Sequence, residues 1–309
     1  MKRLSFIAII VAAVLWGTSG LFVHGLKAYF EPLEMVAIRA TLAALCILIY
    51  ALLFNRSLFK VSLKMLIFFI FSGITFYGAA ACYYAAMPIT SVSTAAVLMY
   101  TAPVMVMIYS VAFMGEKFTP VKMLSVALML VGCCFVSGLV GGAVFNPLGV
   151  AIALLAGVCY AAYSVLSKIE MSKGANPLSA TIYSASFMAI SALAVANPVN
   201  IVNTFSTIPS DNLFAVILMS IGLGLCTFTL PAALFNIGMK NLPAGVGSAL
   251  SIIEPMSATV FGMIFLSEIP TVIAFVGIFM IMGAVFLLSR DGDETKIESE
   301  NAEKEEVNI

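Results

Sequence analysis

The chain has 309 residues, of which 62% are hydrophobic and only 10% are charged. Soluble globular proteins carry roughly 25% charged residues, so this composition excludes an ordinary soluble domain and indicates an integral membrane protein. The 15 basic and 15 acidic residues cancel overall, and no nucleic-acid partner is expected of a chain without a basic excess.

The chain begins with two basic residues, Lys2 and Arg3, followed by an apolar stretch over residues 4–23. A secretory signal begins in the same way, but its apolar region is only about 7–15 residues long and is followed by a cleavage site of small residues. This stretch is longer and lacks a clear cleavage site. We therefore predict that it is a retained membrane helix.

Ten apolar stretches along the chain are long enough to be membrane helices. A helix needs about 20 apolar residues to cross the hydrocarbon core, because each residue advances about 1.5 Å through roughly 30 Å. Prolines mark many of the joints between the stretches, as expected of helix boundaries. The predicted spans are 4–23, 34–54, 65–86, 90–113, 119–139, 147–168, 177–196, 212–235, 243–266 and 270–289.

The distribution of Lys and Arg predicts which side of the membrane each joint faces, because basic residues are retained on the cytoplasmic side of short loops. With the amino terminus inside, 13 of the 15 basic residues fall in cytoplasmic segments. Of the other two, Lys27 lies outside and Arg39 lies within the second span. We predict a multi-pass protein of the plasma (inner) membrane with both chain ends in the cytoplasm.

An internal repeat divides the ten spans into two sets of five. Shifting residues 83–119 by 152 positions aligns them with residues 235–271 without a gap. Proline and glutamate are rare in such spans, and both recur at the same spacing; Pro103 aligns with Pro255, which predicts a kink in both copies.

Five helices per copy is an odd number, so the second copy must enter the membrane from the opposite side. The sequence therefore predicts an all-α membrane protein with ten transmembrane helices in two inverted five-helix repeats, residues 4–139 and 147–289. Inverted repeats are common in secondary transporters, in which two similar halves rock about a central site. Residues 290–309 hold eight acidic residues and form a predicted disordered cytoplasmic tail, either a solvated end or a partner-binding segment.

Four stretches of the sequence resemble a known family. They read VLWGTSGLFVHGL in the first span, EPLEMVAIRATLAAL at the second, TSVSTAAVLMYTAPVMVMIYSVAFMGEKFTP across the fourth, and ALSIIEPMSATVFGMIFLSEIP in the ninth. These stretches are similar to the two EamA-type domains of the drug/metabolite transporter superfamily. The resemblance implies a ten-helix inner-membrane carrier for small organic molecules, with helices of both halves around a central cavity. Members of this family export amino acids or other metabolites, and some import them.

Glu254 is an acid near the midpoint of the ninth span, and Ser251 lies on the same helical face. A charged carboxylate at the bilayer centre costs roughly 2.5 to 3.5 kcal/mol on insertion scales, so such groups usually face the protein interior and have a function. Glu254 is predicted to carry a proton or to bind a substrate amine. The structural alternative is a neutral acid that satisfies carbonyl groups released by Pro255.

Other candidate residues follow from depth and polarity. Arg39 lies about one and a half turns into the second span, where it either snorkels to the outer surface or binds a substrate carboxylate or an acid. Aromatic residues with a polar group suit a cavity that holds an organic solute, although packing explains them equally well. Those at middle depth are Trp16, Tyr100, Tyr160 and Tyr163.

Equivalent positions of the two repeats supply the remaining candidates. Tyr84 and Asn236 are predicted near opposite membrane faces, where gating is one role open to them. Glu116 and Glu268 end equivalent spans and are predicted to be structural, holding loop amides or neighbouring basic residues.

The predicted function is a secondary-active carrier that exports an amino acid or a related metabolite by alternating access. An importer or exchanger of the same fold, a channel and an intramembrane enzyme are the alternatives. The chain has one histidine and neither an HExxH motif nor a Walker-type glycine loop, so an enzyme is not expected. The expected partners are the lipid bilayer, a small solute and, where transport is proton-linked, protons. No cofactor or metal is expected, and the oligomeric state is not predicted.

Overall fold

The computed structural model of the chain describes residues 2–90, 92–116, 119–136, 146–267 and 269–288. All regular secondary structure within these ranges is helical, and none of it is strand. The predicted all-α class is therefore confirmed. The predicted tail and Glu268 lie outside the described residues.

Each of the ten predicted apolar stretches coincides with a helix within the described ranges, and these helices are numbered in chain order. The helices are α1 Lys2–Leu26, α2 Pro32–Phe54, α3 Leu63–Ala86, α4 Val92–Met99 with Ala102–Met114, α5 Pro120–Val136, α6 Pro147–Ser172, α7 Pro177–Val195, α8 Ser210–Met239, α9 Ala244–Leu250 with Ile253–Phe265, and α10 Val272–Leu288. A further short helix, Pro198–Thr207, lies between α7 and α8.

Eight of these helices are long and apolar enough to cross a membrane. The other two, α5 and α10, are apolar but only 17 residues long within the described ranges. At about 1.5 Å per residue each is about 26 Å long, slightly less than the roughly 30 Å of the hydrocarbon core. The described part of the chain is therefore that of a multi-pass membrane protein, with eight candidate spans and two shorter apolar helices.

Proline and asparagine determine where several helices begin. Asn146 precedes Pro147, and its side-chain oxygen accepts hydrogen bonds from the first backbone N–H groups of α6 at 3.0 and 3.2 Å. Asn176 and Asn197 cap α7 and the short helix in the same way. The cap satisfies donors that have no intrahelical partner, and proline at the first position removes one such donor.

Three of the membrane helices are interrupted near their middle. α1 is broken at Thr18, α4 at residues 100–101 and α9 at residues 251–252. The breaks in α4 and α9 come just before Pro103 and Pro255, as expected of residues that cannot complete the hydrogen bonds of a continuous helix. In α8, Leu225–Thr229 forms a turn of π-helix, a local irregularity that often marks functional sites.

Small residues allow the helices to approach closely. α1 packs against α8 and α9, and α3 packs against α6 and α7. Between α5 and α10, a Cβ added at Gly132 would lie 2.8 Å from the carbonyl oxygen of Gly277, and one at Gly277 would lie 2.6 Å from that of Gly132. Such contacts are typical of membrane helices, which associate through tight packing because lipid offers no hydrophobic drive.

Candidate functional site

A cavity of about 90 Å³ lies among α1, α2, α3, α4, α6 and α9. It sits beside the interruptions of α1, α4 and α9, so backbone that departs from regular helix borders it. Irregular backbone at membrane depth is tolerated where it lines a cavity and not where it faces lipid. The convergence of the three breaks makes this cavity the candidate site.

Glu254 is on the wall of the cavity, at the start of the second segment of α9. The break in α9 places Glu254 in the first turn of a helical segment. Its own backbone N–H donates to the Ser251 carbonyl at 3.0 Å. The interruption therefore brings this acid to the cavity wall.

Two groups interact with the Glu254 carboxylate. One is Tyr100, which sits in the break of α4 and whose hydroxyl stabilises the carboxylate. Arg39 also lines the cavity and interacts electrostatically with Glu254. The Nε atom of Arg39 is buried and has no hydrogen-bond partner among the described residues. The cavity thus contains an acid and a base, and the base retains a free donor.

Aromatic rings form the rest of the wall. Trp16 packs edge-on against Phe76 and Tyr160, with centroid distances of 6.4 Å to each. Tyr83 and Tyr84 complete the aromatic lining at the end of α3, and their ring centroids are 5.5 Å apart. Rings in this arrangement offer apolar faces and polar edges, which suits an organic solute that also carries charge.

The close approach of α1 and α9 holds Glu254 in position. A Cβ added at Gly17 would lie 2.6 Å from the Cβ of Ser257 and 3.0 Å from the carbonyl oxygen of Glu254. Gly17 is next to both Trp16 and the break at Thr18. Only glycine allows the two helix backbones to meet at this level, and their contact sets the separation of Trp16 from the acid.

Three predicted binding residues, Tyr100, Ser251 and Tyr163, are not among the residues that line the cavity. Ser251 is fully buried; its hydroxyl donates to the Ser248 carbonyl at 2.6 Å and is within hydrogen-bonding reach of Tyr160. The prediction placed Ser251 beside Glu254 on the assumption of a continuous helix, and the break at residues 251–252 changes that spacing. Tyr163 stacks on Phe76 with ring centroids 4.2 Å apart and does not line the cavity.

The residues predicted at equivalent repeat positions differ in their surroundings. Tyr84 lines the cavity, whereas Asn236 is buried in a hydrogen-bond network between α6, α7 and α8. Its side-chain oxygen accepts from Ser167 at 2.6 Å, and its NH₂ group donates to Thr181 at 3.2 Å. Glu116 accepts a hydrogen bond from the backbone N–H of Ala244.

The wall also contains residues that were not predicted, namely Ser19, Phe76, Ala79, Ala80, Tyr83 and Met99. Four of these share one face of α3, because Phe76, Ala79, Ala80 and Tyr83 are spaced by three, four and seven residues. A search for a helical face that combines small and aromatic residues would have found them. Nothing in the sequence shows that this face meets Glu254 and not lipid.

The chain is similar to a known family over both of its proposed halves. The sequence model of the EamA-like transporter family matches residues 3–138 and again residues 147–290. A protein of Archaeoglobus fulgidus described as an uncharacterized transporter is 28% identical over 287 residues, which cover 92% of this chain and 96% of that protein.

A crystal structure of another protein has a similar fold. It superposes with a TM-score of 0.74 and covers 92% of this chain and 95% of that chain. The two sequences are only 20% identical, so the likeness concerns the fold alone.

Proposed function

Because this chain belongs to the EamA-like transporter family and is therefore a membrane transport protein for a small solute, we propose that it is a secondary-active carrier working by alternating access. The predicted family resemblance is confirmed by the match of the family model to almost all of the chain before the acidic tail. Family and relative both point to a transporter and not to an enzyme.

The carrier has ten membrane helices in two inverted halves, residues 4–139 and 147–289. In such an arrangement α1 is equivalent to α6, α2 to α7, and so on to α5 and α10. Helix packing supports it, because a contact between two helices recurs between their equivalents. α1 packs on α8 as α6 packs on α3, and α1 packs on α9 as α6 packs on α4. α5 and α10 are equivalent under the same exchange, and their glycines Gly132 and Gly277 face each other.

The solute binds in the cavity between Arg39 and Glu254. A small amino acid or related metabolite carries an amine and a carboxylate, and the two side chains offer the opposite charges for both groups. Charge-assisted hydrogen bonds of this kind are stronger than neutral ones. Trp16 and Tyr160 contact the organic part of the solute, and Tyr100 orients the Glu254 carboxylate. Glu254 also takes up a proton when the solute is absent, which links solute movement to protons.

Transport runs outward across the inner membrane, with both chain ends in the cytoplasm. The basic residues support this orientation, since they concentrate in the joints assigned to the cytoplasm. In that orientation the cavity borders the outer parts of α1 and α3, where Ser19 and Tyr84 lie. The cytoplasmic ends are closed by packed polar contacts, among them that of Asn241 with Ser5 at 2.9 Å.

The observation that supports this function most directly is that Glu254 shares the cavity wall with Arg39, whose Nε has no hydrogen-bond partner among the described residues. Metabolite profiling of cells with and without the gene identifies the solute, and counterflow in proteoliposomes then measures transport. We expect saturable counterflow in the wild type. Glu254→Gln should abolish proton-coupled net flux, and Asp211→Asn, which changes an exposed acid at the start of α8, should not.

The same assay separates the alternatives. A channel gives flux that neither saturates nor shows counterflow. For an importer or exchanger, the transport rate depends differently on the side of the membrane to which the solute is added. Wild-type flux with unchanged pH dependence in Glu254→Gln would remove this acid from the mechanism.

A further inference from the structure

A second acid lies inside the protein, away from the cavity. Glu170 is two residues before the end of α6, yet only 1% of its surface is exposed. Among the described residues its carboxyl has one polar partner, the Ser72 hydroxyl of α3, which donates to Oε1 at 2.5 Å. An acid so near a helix end is ordinarily solvated, so its burial calls for a physical account.

No basic side chain neutralises Glu170 in the described structure. On its own helix, the Lys168 ammonium donates to the carbonyl groups of Met239 and Leu242 at 3.1 and 2.5 Å. Lys173 is exposed, and its ammonium lies 5.8 Å from the centre of the Phe68 ring. Neither Lys168 nor Lys173 therefore pairs with Glu170.

The elements packed against α6 add no counter-charge to Glu170. On α3, Lys64 is exposed at the start of the helix. On α7, the Tyr183 hydroxyl donates to the Phe59 carbonyl at 3.0 Å. The carboxylate of Glu116, at the end of α4, is bonded to the start of α9. The titratable group that interacts with Glu170 is Tyr163, two turns earlier on α6.

The contact between α3 and α6 connects Glu170 with the cavity wall. Ser72 is one turn from Phe76, which lines the cavity. Phe76 stacks on Tyr163 at 4.2 Å, and the Tyr163 hydroxyl is buried without a hydrogen-bond partner among the described residues. The polar side chains of Tyr163, Ser72 and Glu170 therefore lie along the contact between α3 and α6, from the cavity towards the cytoplasmic end of α6.

A carboxylate buried beside one hydroxyl and no cation is far less stable than a neutral carboxyl, because burial removes the water that solvates the charge. We propose that Glu170 is a second proton-binding site, which holds a proton while α3 and α6 are in contact and releases it to the cytoplasm when they part. The inference rests on the proposed carrier, in which α3 and α6 belong to different halves that move relative to each other.

The direction of the pH effect follows from mass action. The closed contact binds the proton and the open one releases it, so a higher cytoplasmic pH favours separation of α3 from α6. Acidification of the cytoplasmic side keeps the contact closed. Glu170→Gln imitates the protonated side chain and should remove this dependence without adding a charge.

Infrared spectroscopy of the purified protein in nanodiscs tests proton binding without any solute. We expect a band of protonated carboxylic acid at neutral pH that is lost in Glu170→Gln and unchanged in Asp211→Asn. Ser72→Ala should keep the band but shift its frequency, because the carboxyl loses a hydrogen bond. A wild-type spectrum at neutral pH without a band that depends on Glu170 would overturn the proposal.

Counterflow in proteoliposomes, with the solute found by metabolite profiling, tests the link to opening. Raising the pH on the cytoplasmic side should accelerate wild-type counterflow by a larger factor than that of Glu170→Gln, in which only Glu254 still binds a proton. An equal pH response in the two proteins contradicts the inference. The absence of wild-type counterflow contradicts the proposed carrier instead, and the infrared result then stands by itself.

Discussion

Glu116 at the end of α4 and Ala244 at the start of α9 are 128 residues apart in the chain, yet the Glu116 carboxylate accepts the Ala244 backbone N–H at 2.5 Å. The same carboxylate accepts from Gly245 at 3.5 Å. From the other side, Lys168 donates to the last carbonyl groups around α8. An acid thus caps the start of α9 and a base caps the end of α8, each at the helix end that its charge stabilises.

Loss of the Glu116 cap should weaken the contact between the end of α4 and the start of α9. Glu116→Ala leaves two backbone N–H groups without their acceptor, which costs about 1–3 kcal/mol of folding free energy. Thermal melting followed by tryptophan fluorescence should show a lower midpoint for Glu116→Ala than for the wild type. Lys240→Ala, which changes an exposed residue of the same loop, is the control and should melt like the wild type. Equal midpoints for the two variants would show that the cap contributes nothing.

The contact of α1 with α9 should tolerate no side chain at Gly17. Gly17→Ala places a methyl group 2.6 Å from the Cβ of Ser257, and such overpacking costs about 1–3 kcal/mol. Gly20→Ala is a matched control on the same helix, because a Cβ there meets no atom within 4 Å. We expect Gly17→Ala to reduce thermal stability and transport together. Wild-type behaviour of both variants would contradict the close approach.

Trp16 is a natural reporter of the cavity, because it is the only tryptophan in the chain and lines the wall. Its emission depends on the polarity around the ring, so the transported solute should change the fluorescence in a saturable manner. The change should disappear in Glu254→Gln and persist in Asp211→Asn. If the transported solute leaves the emission unaltered, its binding site lies elsewhere.

Arg39 should contribute to affinity through its charge. A hydrogen bond to a charged group is worth about 1.5–3 kcal/mol, which corresponds to roughly ten- to more than a hundredfold in the dissociation constant. Arg39→Gln should weaken solute binding by that factor, and Arg39→Lys should weaken it less. Titration of Trp16 fluorescence provides the measurement. Arg56→Gln, on the exposed turn after α2, serves as control; equal affinity of Arg39→Gln and Arg56→Gln would exclude a role in binding.

The ten-span topology predicts that both chain ends lie in the cytoplasm. A fluorescent reporter that folds only in the cytoplasm should be active when fused to either end, and a phosphatase that needs the oxidising side should be inactive there. Activity on opposite sides would mean an odd number of spans, and the two inverted halves would then be impossible.

Hydropathy and the joint residues were sufficient to predict the helices, since each span depends on local composition. The predicted stretches 147–168 and 177–196 correspond to Pro147–Ser172 and Pro177–Val195, and Asn146 and Asn176 cap them through contacts with the next two or three residues. The break before Pro255 was predictable for the same reason, because proline disrupts the hydrogen bonds of its own helix. In α1 the break at Thr18 has no such residue and was not predicted.

The composition of the site could be predicted only in part. Of the predicted residues, Glu254, Arg39, Trp16, Tyr160 and Tyr84 line the cavity, whereas Tyr100, Ser251 and Tyr163 do not. The helix break at residues 251–252 changes the spacing between Ser251 and the acid. The burial of Glu170 against Ser72 left no mark in the sequence, where an acid near a helix end is usual.

The sequence by itself determined that the chain is a helical membrane protein of the EamA-like family with an acid in its ninth helix, because apolar length, charge placement and family motifs are properties of short segments. Only the tertiary structure decided that Arg39 and Glu254 line the same cavity and that Ser72 donates to Glu170, because these relationships join helices distant in the chain. Their geometry depends on helix breaks and on glycine contacts between backbones, which no local pattern specifies.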